Sequence, residues 1–303
     1  MSASAIKNVL VVGASGNVGK STLKALSEDG FQVIGLSRHL PENSVPAGVE
    51  FITSDYSAAS LLEAFKGQDA VISTVSSTQP GALDLQKSLI DTAIAAGVKI
   101  FVPSEFGVDT SDRSSPEFIP FLEGKIAILD YLGERRDKIS WFALVTGSLF
   151  DWGLKIPGFG GWDLGARTVT IYDGGDIPYE ATTLDQVGRA IAKSLKHPEH
   201  TRNEFVYVNS FTVTQNEVLK AVERITGEKF TVSQSTVEDL WQGGAAQLKE
   251  GQPLGLLAMI AGTIYGKGGL ANYSGTKGLW NKKIGLAQEK LDEVLENLVA
   301  GSK

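Results

Sequence analysis

Along the first 210 residues, short unbroken apolar runs alternate with stretches in which apolar residues recur every three or four positions. An unbroken run of β-favouring residues reads as a strand covered on both faces, and the wider spacing reads as an amphipathic helix. The predicted strands are residues 9–12, 31–36, 49–53, 69–74, 99–103 and 140–145. The predicted helices between them are residues 21–29, 58–65, 83–96 and 121–132. Repeated strand–helix units of this kind build a parallel sheet with helices on both faces. After Gly147 the pattern loosens. Residues 150–165 are rich in Gly and Trp and show no period. Residues 168–172 form a short strand, 185–195 a helix with Val187, Ile191 and Leu195 on one side, and 204–208 a strand. Residues 214–226 are bounded by a capping Thr and by Gly227, residues 235–248 are helical despite Gly243 and Gly244, residues 256–265 are apolar, and residues 286–299 form an amphipathic helix.

The stretch VLVVGASGNVGKS joins the first strand to the first helix and places Gly13, Gly16 and Gly19 at GxxGxxG spacing. A pyrophosphate needs a turn with no Cβ in the way and backbone N–H groups aimed at it from a helix N-terminus. In that reading Gly13 makes the sharp exit from the strand, Gly16 admits the phosphates, and Gly19 lets the helix pack closely on the strand. Ser15, Asn17 and Val18 complete the turn. The same residues also fit a looser phosphate-binding P-loop with Lys20 and Ser21 as its basic and hydroxyl groups, and a turn that binds nothing is the third possibility.

Ligands of parallel α/β sheets sit at the carboxyl ends of the strands, so those ends discriminate. The second strand leads to Arg38, which suits a 2′-phosphate, where an acidic residue would suit NAD. Asp55 follows the third strand and is expected to face an adenine. Thr74, Val75, Ser76 and Ser77 follow the fourth and are small enough for a cofactor to lie over the edge. The P-loop reading needs a phosphoryl-transfer apparatus, which no other part of the chain supplies. The expected architecture is therefore a Rossmann-type doubly wound parallel sheet with a smaller C-terminal α/β substrate domain. Residues 1–150 form an NADP-binding domain with residues 182–210 packing back onto it. Residues 151–181 and 211–303 form the substrate-binding domain.

Composition narrows the function. The net charge of −7 and a pI near 5.1 disfavour a nucleic-acid partner. With no cysteine, disulfides, thiolate metal sites and a Cys nucleophile are excluded. His197 and His200 lie in the polar turn KHPEHTR, which reads as a solvated loop, so no metal is expected. The N-terminus lacks an apolar core of signal-peptide length and no apolar run spans a bilayer, so the expectation is a soluble cytoplasmic protein with no membrane partner, as a monomer or homodimer.

The motifs VVGASGNVG, PSEFG at residues 103–107, a helical lysine 18 residues further on at Lys125, and TGSLFDWGL from Thr146 resemble the NmrA-like and isoflavone-reductase-like group of atypical short-chain dehydrogenases. The resemblance covers most of the first 210 residues. It implies NADPH/NADP+ as cofactor, Lys125 as general acid–base, Arg38 on the 2′-phosphate, the glycines on the pyrophosphate, and Phe106 and the Thr146–Gly147–Ser148 turn near the nicotinamide; Ser104 is a candidate cofactor contact and, with Glu105, a candidate to orient substrate or water. Independently of it, Lys125 lies on a helix carrying Ile126, Leu129 and Leu132. A lysine partly buried there would have a lowered pKa and could exchange a proton near neutrality; an ordinary surface lysine is the alternative. The YxxxK pair of the larger short-chain family is absent at this helix, where Tyr131 is followed four residues later by Arg135. Tyr273 and Lys277 have the spacing only in the C-terminal third. Trp152, Phe159, Trp162 and Tyr265 are candidate walls for a small, aromatic substrate, with core packing as the competing role of each. The rival function is a non-catalytic NADP(H)-binding redox sensor of the NmrA type.

Overall fold

The computed structural model describes residues 5–41 and 45–300. Its elements in chain order begin with β1 (Asn8–Val12), α1 (Asn17–Glu28), β2 (Gln32–Ser37), β3 (Val49–Thr53), α2 (Ala58–Phe65), β4 (Ala70–Ser73), α3 (Ala82–Ala95), β5 (Ile100–Val102), α4 (Ser115–Phe118), α5 (Leu122–Gly133) and β6 (Ser140–Val145). They continue with β7 (Ser148–Leu149), α6 (Phe150–Leu154), β8 (Trp162–Asp163), β9 (Thr168–Tyr172), β10 (Tyr179–Thr182), α7 (Leu184–Lys196), α8 (Pro198–Thr201) and β11 (Glu204–Tyr207). Last come β12 (Phe211–Val213), α9 (Gln215–Thr226), β13 (Thr231–Ser235), α10 (Val237–Lys249), α11 (Gly255–Ile264) and α12 (Leu291–Ala300).

Seven strands form one sheet in the order β11-β6-β5-β4-β1-β2-β3, and every pairing in it is parallel. The VLVV run explains why it is covered twice. Alternate residues of a strand point to opposite faces. Val9 and Val11 enter a core with Leu23, Leu26, Val187 and Ile191 of α1 and α7. Leu10 and Val12 enter another with Leu61, Leu89, Ile90, Leu129 and Leu132 of α2, α3 and α5. The helix pair α1–α7 crosses so closely that a Cβ on Gly188 would fall 2.3 Å from the Ser21 carbonyl oxygen. The strand order reverses between β1 and β4, which opens a crevice above their carboxyl ends.

The rest of the chain forms two small sheets, β12-β10-β7 and β13-β9-β8, around a third core that holds Phe150, Trp162, Tyr172, Tyr179, Phe211 and Tyr265. Helix α9 starts on a reciprocal cap, Thr214 with Glu217, and stops at Gly227 in the left-handed conformation. Two expectations need correction. The first helix begins at Asn17, not at residue 21, so the glycine turn is shorter than its sequence suggests. The last helix begins at Leu291, not at residue 286. Residues just before it are held by side chains of the main sheet's side. Gln288 donates to Asn209 Oδ1 at 2.8 Å. The Glu289 carboxylate accepts from Thr183 Oγ1 at 2.7 Å, Ser210 Oγ at 2.6 Å and Arg189 Nη2 at 2.5 Å. Those bonds reward an extended path over another helical turn. Among the described residues, no helix is long and apolar enough to cross a membrane.

Gly147 joins β6 to β7 with φ of +63°, and a Cβ there would lie 2.2 Å from the Glu180 carbonyl oxygen of β10. Gly147→Ala is expected to cost about 3 kcal/mol from left-handed strain and overpacking together. A thermal scan should then show a fall of roughly 6 to 12 °C in Tm; an unchanged melt would mean that β10 yields freely.

Candidate functional site

The crevice between β1 and β4 is a groove of about 580 Å³. Gly13, Ser15, Gly16, Asn17 and Val18 form one wall, Arg38 and His39 one end, Thr74, Val75 and Ser76 the floor, Gly81, Ala82 and Leu85 the facing wall, and Leu149 and Trp152 the other end. Each glycine has a separate steric reason. Gly13 turns with φ of +80°, and a Cβ on it would come within 2.9 Å of the Thr74 main chain. A Cβ on Gly16 would meet the Gly13 carbonyl oxygen at 3.3 Å. Gly19 does not line the groove: a Cβ there would fall 2.6 Å from the Gly13 oxygen, so its role is to seat α1 against the turn. The turn is tied to β2 through Ser37, whose Oγ accepts from the Ser15 N–H at 3.0 Å and donates to Ser15 Oγ at 3.1 Å.

The electrostatics of this groove favour an anion. The opening N–H groups of a helix have no partner inside it. Here the N-cap is Gly16, which offers them no side chain, and the first turn has no acidic residue. Among the described residues no carboxylate lines the groove, and two of those lining it are the exposed Arg38 and His39, although the chain as a whole carries −7. The cradle and the charge therefore fit a pyrophosphate at α1 with a further phosphate near Arg38. The P-loop arrangement does not form, since Lys20 and Ser21 turn away from the groove into a separate depression with Lys24 and Asp185.

Several expected residues lie elsewhere. Asp55 is exposed outside the groove, where its carboxylate accepts from the Ser57 N–H at 2.9 Å and begins the turn into α2. The residue that enters from this strand end is Tyr56, in a left-handed conformation with φ of +63° and its N–H donating to Ser54 Oγ at 2.9 Å. A left-handed tyrosine is uncommon, and local sequence gives no sign of it. Ser104 stands behind the floor, its Oγ donating to the Val75 carbonyl at 2.8 Å. Phe106 is buried among Val102 and Phe142. Gly147 is buried against β10 and does not line the groove. Of the candidate substrate walls, only Trp152 lines it; Phe159 backs Trp152 edge to face at 5.7 Å. Trp162 is 2% exposed beside Phe230, and Tyr265 stacks on Tyr172 at 5.7 Å with its hydroxyl donating to the Gly160 carbonyl. Both rings serve the core of the smaller unit, because no open surface remains to them. Sequence reading missed His39, Tyr56, Gln79 and Leu149; Arg38-His39 adjacency was the one available signal.

Lys125 is partly buried on α5 and lies outside the groove's lining. Its Nζ donates to the main-chain oxygen of Glu105 at 2.5 Å and stands 5.9 Å from the centre of the Phe121 ring. Ser104, next to that oxygen, is bonded to Val75 of the groove floor, so one short path links Lys125 to the groove. Burial pushes the Lys125 amine below the usual lysine value, and the charge of Glu105 partly opposes it. The other tyrosine–cation spacings are structural. Arg135 lies 3.3 Å over the half-buried Tyr131 ring, whose hydroxyl bonds Asp91. Tyr273 is 2% exposed and donates to the Val208 carbonyl at 2.8 Å.

Fold and groove together define a Rossmann-type α/β protein with an open groove at its switch point. Residues 5–252 match the NmrA-like family, and the chain belongs to that family. It is 33% identical over 298 residues to oxidoreductase aprR of Aspergillus flavus, a match that covers 97% of this chain and 99% of that one. It is 26% identical over 301 residues to bifunctional pinoresinol-lariciresinol reductase 1 of Linum usitatissimum, covering 88% of each. Among solved structures, the complex of leucoanthocyanidin reductase with NADPH from Vitis vinifera superposes with a TM-score of 0.80 over 97% of this chain and 99% of the other. At 18% identity that likeness speaks for the fold.

Proposed function

We propose that the protein is an NADPH-dependent oxidoreductase that reduces an aromatic or other apolar small molecule, with Lys125 as general acid–base. The observation that carries the reading is the groove, with no carboxylate among its described lining residues, Arg38 at one end and Trp152 at the other, linked through the β4 and β5 ends to the desolvated amine of Lys125. Relatives named as an oxidoreductase and as pinoresinol-lariciresinol reductase support it, the latter named for aromatic compounds. NADPH supplies a hydride from its nicotinamide when bound. Arg38 would pair with the 2′-phosphate, the start of α1 with the pyrophosphate, and Tyr56 would border the adenosine end. Lys125 would deliver the proton that completes the two-electron reduction, and its lowered pKa makes that transfer feasible near neutrality. Trp152, backed by Phe159, would present a flat apolar face to the substrate. A redox sensor would use the same groove but would have no use for a desolvated lysine beside it.

Calorimetric titration with NADPH, NADP+, NADH and Mg-ATP tests the groove, and a screen of carbonyl, enone and benzylic-ether substrates tests turnover. NADPH should bind about 100-fold tighter than NADH, the difference one well-placed Arg–phosphate contact can supply. Binding of Mg-ATP alone would overturn the nucleotide assignment. Selective NADPH binding without turnover of any substrate would overturn the catalytic one in favour of the sensor.

A further inference from the structure

We propose that the outer edge of β13 is a self-association surface, onto which a second copy of this chain adds its own β13, antiparallel about a two-fold axis. The surface belongs to the smaller unit, and its use does not depend on the reductase reading.

β13 pairs in parallel with β9, from Thr231 beside Thr168 to Ser235 beside Tyr172, and forms the edge of its sheet. The Thr231 N–H donates to the Arg167 carbonyl at 2.9 Å. Main-chain groups alternate sides along a strand. Thr231, Ser233 and Ser235 therefore face β9, while Val232 and Gln234 turn their N–H and C=O groups outward. Among the described residues nothing hydrogen-bonds those outward groups. Thr231, Val232, Ser233 and Gln234 are all exposed, so neither face of the strand is covered, and Val232 leaves 44% of itself to solvent. The buried Phe230 and Val237 fix its two ends. Sheets ordinarily protect an edge by shortness, charge or cover, and the other edges here are protected. β7 and β8 have two residues each and β12 has three. β3 and β11 carry the exposed Glu50 and Glu204, and the Tyr207 carbonyl of β11 accepts from the Trp280 N–H at 2.7 Å. β13 has five residues, no charge and no proline.

A second β13 is the occupant these groups select. In antiparallel pairing centred on Ser233, Val232 exchanges both main-chain hydrogen bonds with Gln234 of the second copy, and symmetry repeats the exchange. No charge in the strand opposes it. The flanks agree on direction. Lys229, with a side chain 88% exposed, stands before the strand, and Glu238 and Asp239 of the first turn of α10 stand after it. An antiparallel copy brings each Lys229 toward the other copy's acids; a parallel copy would set lysine against lysine and acid against acid. Lys229 already bonds Glu223, and Glu238 already bonds Lys267, so these charges set orientation more than strength. The two-fold arrangement closes, since each β13 edge is used once, and it joins two three-stranded sheets into one of six strands.

Sedimentation velocity of the full-length protein over a concentration series is the first test. A reversible monomer–dimer equilibrium is expected, with a Kd of about 10 to 100 μM, as suits a small interface. Val232→Pro removes one outward N–H from each copy and spares the ladder to β9, so it should weaken the dimer at least about tenfold. A protein that stays monomeric at every concentration overturns the proposal. A dimer that Val232→Pro leaves intact overturns it equally, because another surface then holds the two copies. The chain has no cysteine, so single cysteines report the register without background. Opposed residues at a non-hydrogen-bonded position have Cα atoms about 4.5 Å apart, within the span of a disulfide. Ser233 meets its own copy across the axis, whereas Thr231 meets Ser235. Ser233→Cys should therefore form a covalent dimer under mild oxidation far faster than Thr231→Cys. If Val232→Pro fails to fold, the cysteine variants decide, since both side chains are exposed; equal rates of cross-linking overturn the antiparallel pairing.

Discussion

Lys125→Ala is expected to lose about 10²- to 10⁴-fold in turnover, the range of one positioned general acid, with NADPH affinity unchanged. The amine sits outside the groove's lining and hydrogen-bonds protein, so removing it takes nothing from the cradle that holds the nucleotide. Lys125→Met is the control for lost packing, because it keeps an unbranched stem beside Phe121. The pH dependence has a definite sign. An acid must be protonated, and burial pushes this amine below the usual lysine value. Reduction should therefore decline on the alkaline side earlier than an exposed lysine at about 10.4 would allow. Either variant working at the wild-type rate, with normal NADPH binding, would end the proton-transfer role.

Arg38→Asp should carry the other large effect, a reversal of cofactor preference. Arg38 is exposed at the groove end beyond β2, and among the described residues no carboxylate lines the groove. A guanidinium–phosphate contact contributes about 1.5 to 3 kcal/mol, so NADPH should bind roughly 10- to 150-fold more weakly once it is lost. Asp at this place would repel the 2′-phosphate and accept from a 2′-hydroxyl, so NADH should gain affinity. His39 adjoins Arg38 in the lining of the groove and is left in place by this substitution. Titrations must be run at one ionic strength, because salt screens an exposed charge. Equal loss of both nucleotides would show that Arg38 serves the fold of the β2 end and not the phosphate.

The sheet was legible because its evidence is local. Six strands of the sheet and four of the five helices between them come from runs and spacings of a few residues, and the seventh strand, β11, from the alternation at residues 204–208. The glycine cradle was legible for the same reason, since Gly13, Gly16 and Gly19 answer to contacts within one turn. Arg38 followed from its place at a strand end. The smaller unit was less legible: β13 runs parallel to β9, a partner more than fifty residues away, and its Thr-Val-Ser-Gln-Ser sequence shows little apolar signal because most of it is exposed.

Chain pattern by itself thus determined the doubly wound parallel sheet and its tight glycine turn, since each depends on strand faces, helix faces and one turn, whereas the strand order and its reversal between β1 and β4 came only with the tertiary structure. Tertiary structure alone decided the rest. It sent Trp162 and Tyr265 into a core and left Trp152 in the groove. It turned Asp55 out and Tyr56 in through a backbone sign that propensity does not encode. It held back the start of the last helix to Leu291 through Gln288 and Glu289. It joined Lys125 to Glu105 across 20 residues. Local periodicity reports which side of an element is apolar; which distant group meets a given side chain depends on how whole elements pack, and burial and pKa follow from that meeting.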